Sequence, residues 1–147
     1  MTTFSKYYSW LLGIIDKSGI VSDRSTMTRR QTSKFSGRIL APDERGFAKP
    51  GLSPTGLIFV DGAYLRFLEE IVIVNREVQH LAYSYHYQRP DGYYFRYDKL
   101  SQPFEDPVKR IREPQRHLQV AQPVPRFPTH STNLAELLAL IKHNFYA

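Results

Sequence analysis

The sequence predicts an α+β fold, in which a twisted antiparallel β-sheet, a meander of hairpins, is flanked by an N-terminal and a C-terminal α-helix. Three observations predict it: apolar residues at helical spacing near both ends, two Asp-Gly turns in the middle, and strand-like segments beside those turns. The chain has 147 residues, the length of one ordinary domain. We therefore expect residues 1–147 to form a single domain with one core.

The N-terminal third is predicted to contain a helix, a strand and a loop. One apolar helical face is formed by Tyr8, Leu11, Leu12 and Ile15. Gly19 is placed where a helix ends, so the helix is expected over residues 4–17. Residues 21–34 have a period-2 pattern with β-branched residues, which favours an exposed strand. Residues 41–54 contain three prolines and two glycines, so we expect an exposed, weakly ordered loop there.

Two hairpins are predicted in the central third. The first joins residues 57–60 to residues 63–74, because the Asp-Gly between them supplies the positive φ that a type I′ turn needs. The second joins residues 78–88 to residues 93–97 through Arg-Pro-Asp-Gly. In that turn Pro presets φ and Gly takes the left-handed position.

The second hairpin is predicted to have one polar and one aromatic face. A type I turn followed by a bulge pairs His86 with Arg96 and Ser84 with Asp98. Because side chains alternate between faces, the polar face comprises Ser84, His86, Gln88, Tyr94, Arg96 and Asp98. The aromatic face comprises Tyr83, Tyr85, Tyr87, Tyr93, Phe95 and Tyr97. We expect the two terminal helices to pack on the aromatic face.

The C-terminal third is predicted to end in a helix. Residues 99–130 are rich in proline, so we expect them to pack along the surface with at most a short strand over residues 117–121. Asn133 caps the helix, with Glu136 three residues later. Its apolar stripe is Leu134, Leu137, Leu138, Ile141 and Phe145.

The composition excludes several classes of function. The chain has no cysteine, which removes disulfides, thiolate nucleophiles and cysteine-ligated metals. No two histidines have the i, i+4 spacing of a helical metal site, so we expect neither a metal nor a cofactor. The apolar runs are far shorter than the roughly 20 residues of a membrane span, and the start lacks the features of a secretion signal. We therefore expect a cytoplasmic protein without a membrane segment.

The charge of the chain favours an anionic partner. The net charge is +6 and the pI is near 9.6, and summed positive charge raises encounter rates with polyanions. RNA and an acidic protein both fit this property. The candidate nucleic-acid contacts are the basic residues Arg29, Arg30, Lys34, Lys109, Arg110, Arg112 and Arg116, with Tyr94 for base stacking.

The polar face of the second hairpin has two interpretations. In the first it is an ordinary solvated surface, on which Arg96 and Asp98 form an ion pair worth under about 1 kcal/mol. In the second it is a phosphate site, in which Arg96 binds the anion through its guanidinium fork and His86 transfers a proton near neutral pH.

The residues of this hairpin carry a family resemblance. The run Tyr83–Gln88, the Asp91-Gly92 turn and the run Phe95–Asp98 resemble the central motif of TumE-like toxins, a prokaryotic toxin-antitoxin family. The similarity covers residues 55–145 and includes the segment His117–Val120 before the terminal helix. The resemblance implies a growth-inhibiting protein encoded beside a DNA-binding antitoxin of helix-turn-helix type.

Three functions follow as hypotheses. The first is a metal-independent endoribonuclease toxin, with His86 as base or acid and Arg96 on the phosphate. Asp98 or Glu69 would orient these groups or transfer a second proton, and His117 is a reserve candidate. The second is a non-catalytic module that binds single-stranded nucleic acid, and the third is a subunit that docks on an acidic partner protein. A homo-oligomer is compatible with each.

Overall fold

The computed structural model describes residues 3–41 and 56–146. In this part of the chain there are three helices: α1 (Phe4–Ser18), α2 (Pro107–Arg112) and α3 (Leu134–Phe145). The strands are β1 (Val21–Asp23), β2 (Thr28–Ser33), β3 (Ser36–Ala41), β4 (Leu57–Phe59), β5 (Tyr64–Val74), β6 (Glu77–Gln88), β7 (Tyr94–Lys99), β8 (Arg116–Val120) and β9 (Phe127–Pro128). The predicted α+β class is confirmed.

All the strands belong to one antiparallel sheet that is not closed into a barrel. The order is β1-β4-β5-β6-β7-β8-β9. The long strand β5 pairs with β6 along one side. Along its other side it pairs with β4 near its start and with β3 farther on, and β2 extends the sheet beyond β3. The four strands β5 to β8 therefore form the middle of the sheet and carry the candidate site.

The predicted register of the second hairpin is confirmed. His86 lies opposite Arg96 and Ser84 lies opposite Asp98. The turn closes as expected, with Arg89 N donating to the Tyr93 carbonyl at 2.7 Å. Gly92 has φ of 94°, which places it in the left-handed region.

The type I′ turn predicted for the first hairpin is wrong. A type I′ turn needs positive φ at both central residues, but of Asp61 and Gly62 only Gly62 has it. Phe59 N donates to the Ala63 carbonyl at 2.8 Å, so this turn closes in the same way as the second one. Positive φ at two successive residues occurs instead between β5 and β6, at Asn75 and Arg76.

Both terminal helices cover the aromatic face of the sheet, as expected. Thr3 caps α1 and Gly19 ends it with φ of 72°. Asn133 caps α3, its side chain accepting from Glu136 N at 2.9 Å. The helices and the sheet share one buried core, which includes Phe4, Tyr7, Leu11, Ile15, Leu134, Leu137, Leu138, Ile141, Tyr83, Tyr85, Tyr87, Phe95 and Tyr97. The opposite face of the sheet, which we call the uncovered face, is free of these helices.

Two local expectations differ from the structure, and a third lies almost entirely outside the described residues. Residues 21–34 form two strands rather than one, and β2 turns back into β3 through residues that carry no Gly or Pro signal. Helix α2 and strand β9 lie in the Pro-rich segment 99–130. The helix can form there because Pro107 takes its first position, where the missing N–H costs no hydrogen bond. The loop predicted over residues 41–54 lies outside the described residues, apart from Ala41, which ends β3.

None of the helices in the described ranges is long and apolar enough to cross a membrane.

Candidate functional site

The predicted polar face lies on the uncovered face of the sheet. Its centre is a row of side chains from four neighbouring strands, one per strand: Arg66, His86, Arg96 and Gln119. We call this set the arginine–histidine row. The next row along the strands contains Leu68, Ser84, Asp98 and His117, and the row on the other side contains Tyr64, Gln88 and Tyr94.

His86 lies between two tyrosine rings. The His86 and Tyr94 ring centres are 4.9 Å apart and nearly parallel, and Tyr64 stacks less closely at 6.4 Å. His86 Nε2 is 3.0 Å from Gln88 Oε1, while Nδ1 is buried without a hydrogen-bond partner. Burial lowers the pKa of His86 below its usual value, and the charges of Arg66 and Arg96 lower it further. The imidazole is therefore neutral at neutral pH.

Arg96 is held in one orientation by its neighbours. Its Nε donates to Asp98 Oδ2 at 2.7 Å, and its Nη2 donates to Ser84 Oγ at 2.8 Å. The Nη1 group has no partner among the described residues, and the Arg96 side chain is 39% exposed. A fixed guanidinium with a free N–H edge on a sheet surface is suited to bind a phosphate.

Asp98 links Arg96 to His117. Asp98 is largely buried, and its Oδ2 lies 3.6 Å from His117 Nε2. The His117 Nδ1 is 2.7 Å from the Pro114 carbonyl, and the side chain is only 3% exposed. This histidine is therefore buried beside Asp98, bonded to the Pro114 carbonyl, and does not face solvent.

Glu69 does not belong to this group, so its predicted part in a site with His86 is wrong. Alternation along β5 places Glu69 on the covered face, where it is fully buried. Its Oε1 accepts from Tyr7 OH at 2.5 Å and contacts His80 Nε2 at the same distance. The two carboxylates predicted to share one site, Glu69 and Asp98, are therefore on opposite sides of the sheet.

His80 is a candidate functional residue that the sequence analysis missed. The register of β5 and β6 shifts by one residue at Leu81, because Glu70 pairs with Ala82 and Ile71 with His80. The bulge turns His80 to the covered face beside Glu69. Strand alternation puts Glu69 on the same face as the apolar Leu65 and Phe67, so the sequence could have predicted that Glu69 is buried. No residue near Leu81 predicts the bulge.

The predicted basic contacts do not form one patch. Arg30 lies opposite Arg38 across the strands, and Arg38 lies opposite Glu70, so all three are on the uncovered face. Arg29 turns to the other side, where its guanidinium lies 5.0 Å from the centre of the Tyr8 ring. Lys34 lies in the turn between β2 and β3, above the neighbouring Phe35 ring.

The remaining basic residues are divided between α2 and the covered side of the sheet. Lys109, Arg110 and Arg112 are exposed on α2. Arg116 pairs with Lys99, which in turn pairs with Tyr83 of the aromatic face. Of the predicted nucleic-acid contacts, Arg30 and Tyr94 therefore share the uncovered face with the arginine–histidine row.

No three histidine or carboxylate side chains in the described ranges are grouped to hold a metal ion.

Comparison with known proteins identifies a family. A family model described as Toxin TumE matches residues 12–145 of the chain. Searches of curated proteins and of solved structures give no significant match. The matched range contains the whole uncovered face and the terminal helix.

Proposed function

The chain belongs to the TumE toxin family and is thus the toxin component of a toxin–antitoxin system, and we propose that it inhibits growth by cleaving RNA on the uncovered face. The arginine–histidine row carries this proposal. It places one neutral imidazole between two guanidinium groups on an accessible sheet surface. A bound phosphate would neutralise the charges that lower the pKa of His86 and so make the imidazole a better proton acceptor.

The chemistry that fits this row is transfer of the phosphodiester to the neighbouring 2′-hydroxyl. In the resting contact Nε2 carries the hydrogen that Gln88 Oε1 accepts, so the Gln88 amide must be displaced and the ring hydrogen must move to Nδ1 before Nε2 takes the proton of that hydroxyl. The 2′-oxygen bonds to phosphorus, the bond to the 5′-oxygen breaks, and the leaving oxygen takes a proton from water, whose hydroxide is neutralised by the proton held on His86. Arg66 and Arg96 stabilise the added negative charge at phosphorus. The products are a 2′,3′-cyclic phosphate and a 5′-hydroxyl end.

The remaining residues of the face act on RNA binding and orientation. Asp98 and Ser84 hold the Arg96 fork, and His117 supports Asp98, so these are positioning residues. The Tyr94 ring already stacks on His86 and is available to stack on a base. Stacking of this kind is tolerant of sequence and selects single-stranded RNA.

Family membership implies an antitoxin partner, and we infer that it is a DNA-binding protein of helix-turn-helix type. The motif of the second hairpin supports this inference through the family resemblance. A gene for a small helix-turn-helix protein next to the gene for this chain, and a stable complex of the two purified proteins, are the expected observations. The absence of a gene for such a protein next to this one would contradict the inference of a helix-turn-helix antitoxin.

A non-catalytic RNA-binding face is the second candidate. The observation that favours it is the state of His86, whose Nδ1 is buried and whose Nε2 is already bonded to Gln88. This function predicts RNA binding and growth inhibition without turnover.

One experiment separates the two. Purified protein is incubated with single-stranded RNA in the presence of a chelator, and the new ends are identified. We expect 2′,3′-cyclic phosphate ends, a loss of about 10² to 10⁴ in rate for His86→Ala, and a strong loss for Arg96→Lys, since a point charge cannot replace the fork. His143→Ala, on the exposed side of α3, is the control and should cleave normally. Intact RNA with a wild type that still stops growth would exclude the nuclease.

A further inference from the structure

A cleft on the covered side of the sheet lies beside the N-terminus of α3. It consists of two adjoining cavities of about 280 and 270 Å³. His80 and Asn133 line both, so the cavities share a wall. Together they approach the size of a small-molecule site, and they lie on the side of the sheet opposite the arginine–histidine row.

The first cavity is polar and has a cation at its wall. Lys99 lines it and donates from Nζ to the His80 carbonyl at 2.5 Å. Arg116 is paired with Lys99 across the strands, and its Nε is buried without a hydrogen-bond partner. Burial lowers the pKa of Lys99, and the charge of Arg116 lowers it further. Arg116 does not itself line the cavity, but its charge acts on Lys99, so an anion bound at Lys99 relieves the repulsion between the two cations.

Further donors surround the same cavity. Ser131 and Thr132 line it just before α3, so the positive end of the helix dipole lies at the same cavity. Glu136 is the carboxylate at its rim and is exposed, so its charge is screened by water.

His80 is held at the boundary of the two cavities by the buried Glu69. Its Nε2 is committed to the Glu69 carboxylate, which also accepts from Tyr7 OH. The other ring nitrogen, Nδ1, has no hydrogen-bond partner among the described residues, and the side chain is 18% exposed. The carboxylate thus fixes the ring and leaves one nitrogen for a ligand.

The second cavity is apolar and contains an aromatic platform. Trp10 lines it, is 44% exposed, and stacks against Tyr7 with a centre distance of 6.0 Å. Val78 and Leu134 complete its apolar walls. An exposed indole beside apolar walls is suited to stack a nucleobase, since every base offers a π face.

We propose that this cleft binds a nucleoside monophosphate, with the phosphate beside Lys99 and the base on Trp10. The proposal combines a cationic cavity, a fixed histidine and an aromatic cavity that meet at His80. The phosphate belongs either to a free nucleotide or to the end of an RNA chain. The site is independent of RNA cleavage on the uncovered face, because the sheet separates the two.

The test uses Trp10 as the reporter, since it is the single tryptophan of the sequence. Its fluorescence is followed while adenosine 5′-monophosphate, adenosine or inorganic phosphate is added to the full-length protein. We expect a saturable change with the monophosphate and much weaker binding of adenosine. Lys99→Met should weaken monophosphate binding about tenfold or more, because a charge-assisted contact is lost. Lys142→Met, an exposed lysine on α3, is the matched control and should bind normally.

A second variant guards against an effect on folding. Trp10→Ala, measured by calorimetry, should weaken monophosphate binding and leave inorganic phosphate binding unchanged, and thermal melting shows whether each variant is folded. No saturable binding of the monophosphate, equal binding of adenosine, or equal loss in Lys99→Met and Lys142→Met would overturn the proposal. If the monophosphate binds, its displacement by RNA with a 5′-phosphate, but not by RNA with a 5′-hydroxyl, identifies an RNA end as the ligand. Competition by neither identifies a free nucleotide.

Discussion

At the scale of single residues, two adjacent glutamates show how strand alternation separates roles. Glu69 is fully buried on the covered face and bonded to Tyr7 and His80. Glu70 faces the other side, where its carboxylate lies 3.9 Å from Arg38 and its side chain is 36% exposed. The first carboxylate is part of the core, and the second is part of the surface.

This difference predicts unequal effects on stability. Glu69→Ala leaves Tyr7 and His80 without their buried partner, so we expect a loss of about 3–5 kcal/mol in the free energy of unfolding. Glu70→Ala removes a long, solvated ion pair, and we expect less than about 1 kcal/mol. Urea unfolding of both variants measures the difference. Similar losses in the two would show that Glu69 is not a buried partner of His80.

His86 predicts a pH dependence of stability. Its pKa in the folded chain is below the ordinary value of 6.5, mainly because of burial. As the pH falls through 6.5, the unfolded chain binds the proton first, so the free energy of unfolding decreases. This contribution is complete above the unfolded pKa and is lost as the pH falls through the folded one.

The prediction is checked with His86→Gln. Urea unfolding is measured between about pH 5 and pH 7.5, the range that spans the titration of an ordinary histidine. The variant should lose less stability than wild type on acidification, whereas His143→Gln should follow wild type because its side chain is exposed. If the free energy of unfolding of the His86 variant changed with pH as steeply as that of wild type, His86 would not titrate as a buried group.

At the scale of elements, α3 stabilises the protein through one narrow stripe. Leu134, Leu137, Leu138 and Ile141 are buried against the sheet and α1, while Leu140 is 40% exposed. A helix of this length is marginal in isolation, so its stability comes from this packing. Truncation after Thr132 removes all four buried side chains and should leave too little stability for a folded chain.

A matched pair within α3 tests this more finely. Leu137→Ala creates a cavity in the core and should cost about 2–5 kcal/mol. Leu140→Ala removes a half-exposed side chain from the same helix with the same change in helix propensity, and should cost less than about 1 kcal/mol. Thermal or urea unfolding measures both. Equal costs would contradict the orientation of α3 on the sheet.

At the scale of the whole molecule, the sheet divides the protein into two chemically different sides. The uncovered face carries the arginine–histidine row and the stacked tyrosines. The covered side carries the core and the cleft around His80. The net charge of +6 favours the approach of a polyanion such as the proposed RNA, whereas the groups that would orient it are local.

RNA binding should therefore weaken steeply with salt. For single strands each neutralised phosphate adds about 0.7 to the slope of log affinity against log salt. We expect Arg96→Gln to reduce that slope by about this amount, while Arg24→Gln, in an exposed pair with Asp16, leaves it unchanged. Anisotropy with an uncleavable 2′-O-methyl oligonucleotide measures it at several salt concentrations. An unchanged slope of log affinity against log salt in the Arg96 variant would show that Arg96 does not contact a phosphate.

The sequence by itself determined those features that depend on neighbouring residues. Gly92 and the Pro-Asp before it specify the second turn, and the turn sets the register that places His86 opposite Arg96. Asn133 with Glu136 specifies the start of α3 in the same local way. Strand alternation then divided the hairpin into its two faces.

The tertiary structure decided what depends on distant segments. The bulge at Leu81 puts His80 beside Glu69, and no glycine or proline in β6 signals the shift. The approach of His117 to Asp98 depends on β8 returning to β7 after a segment of 16 residues between Lys99 and Arg116. Local preference sets turns and caps, whereas the burial of side chains across the whole sheet determines which remote groups meet.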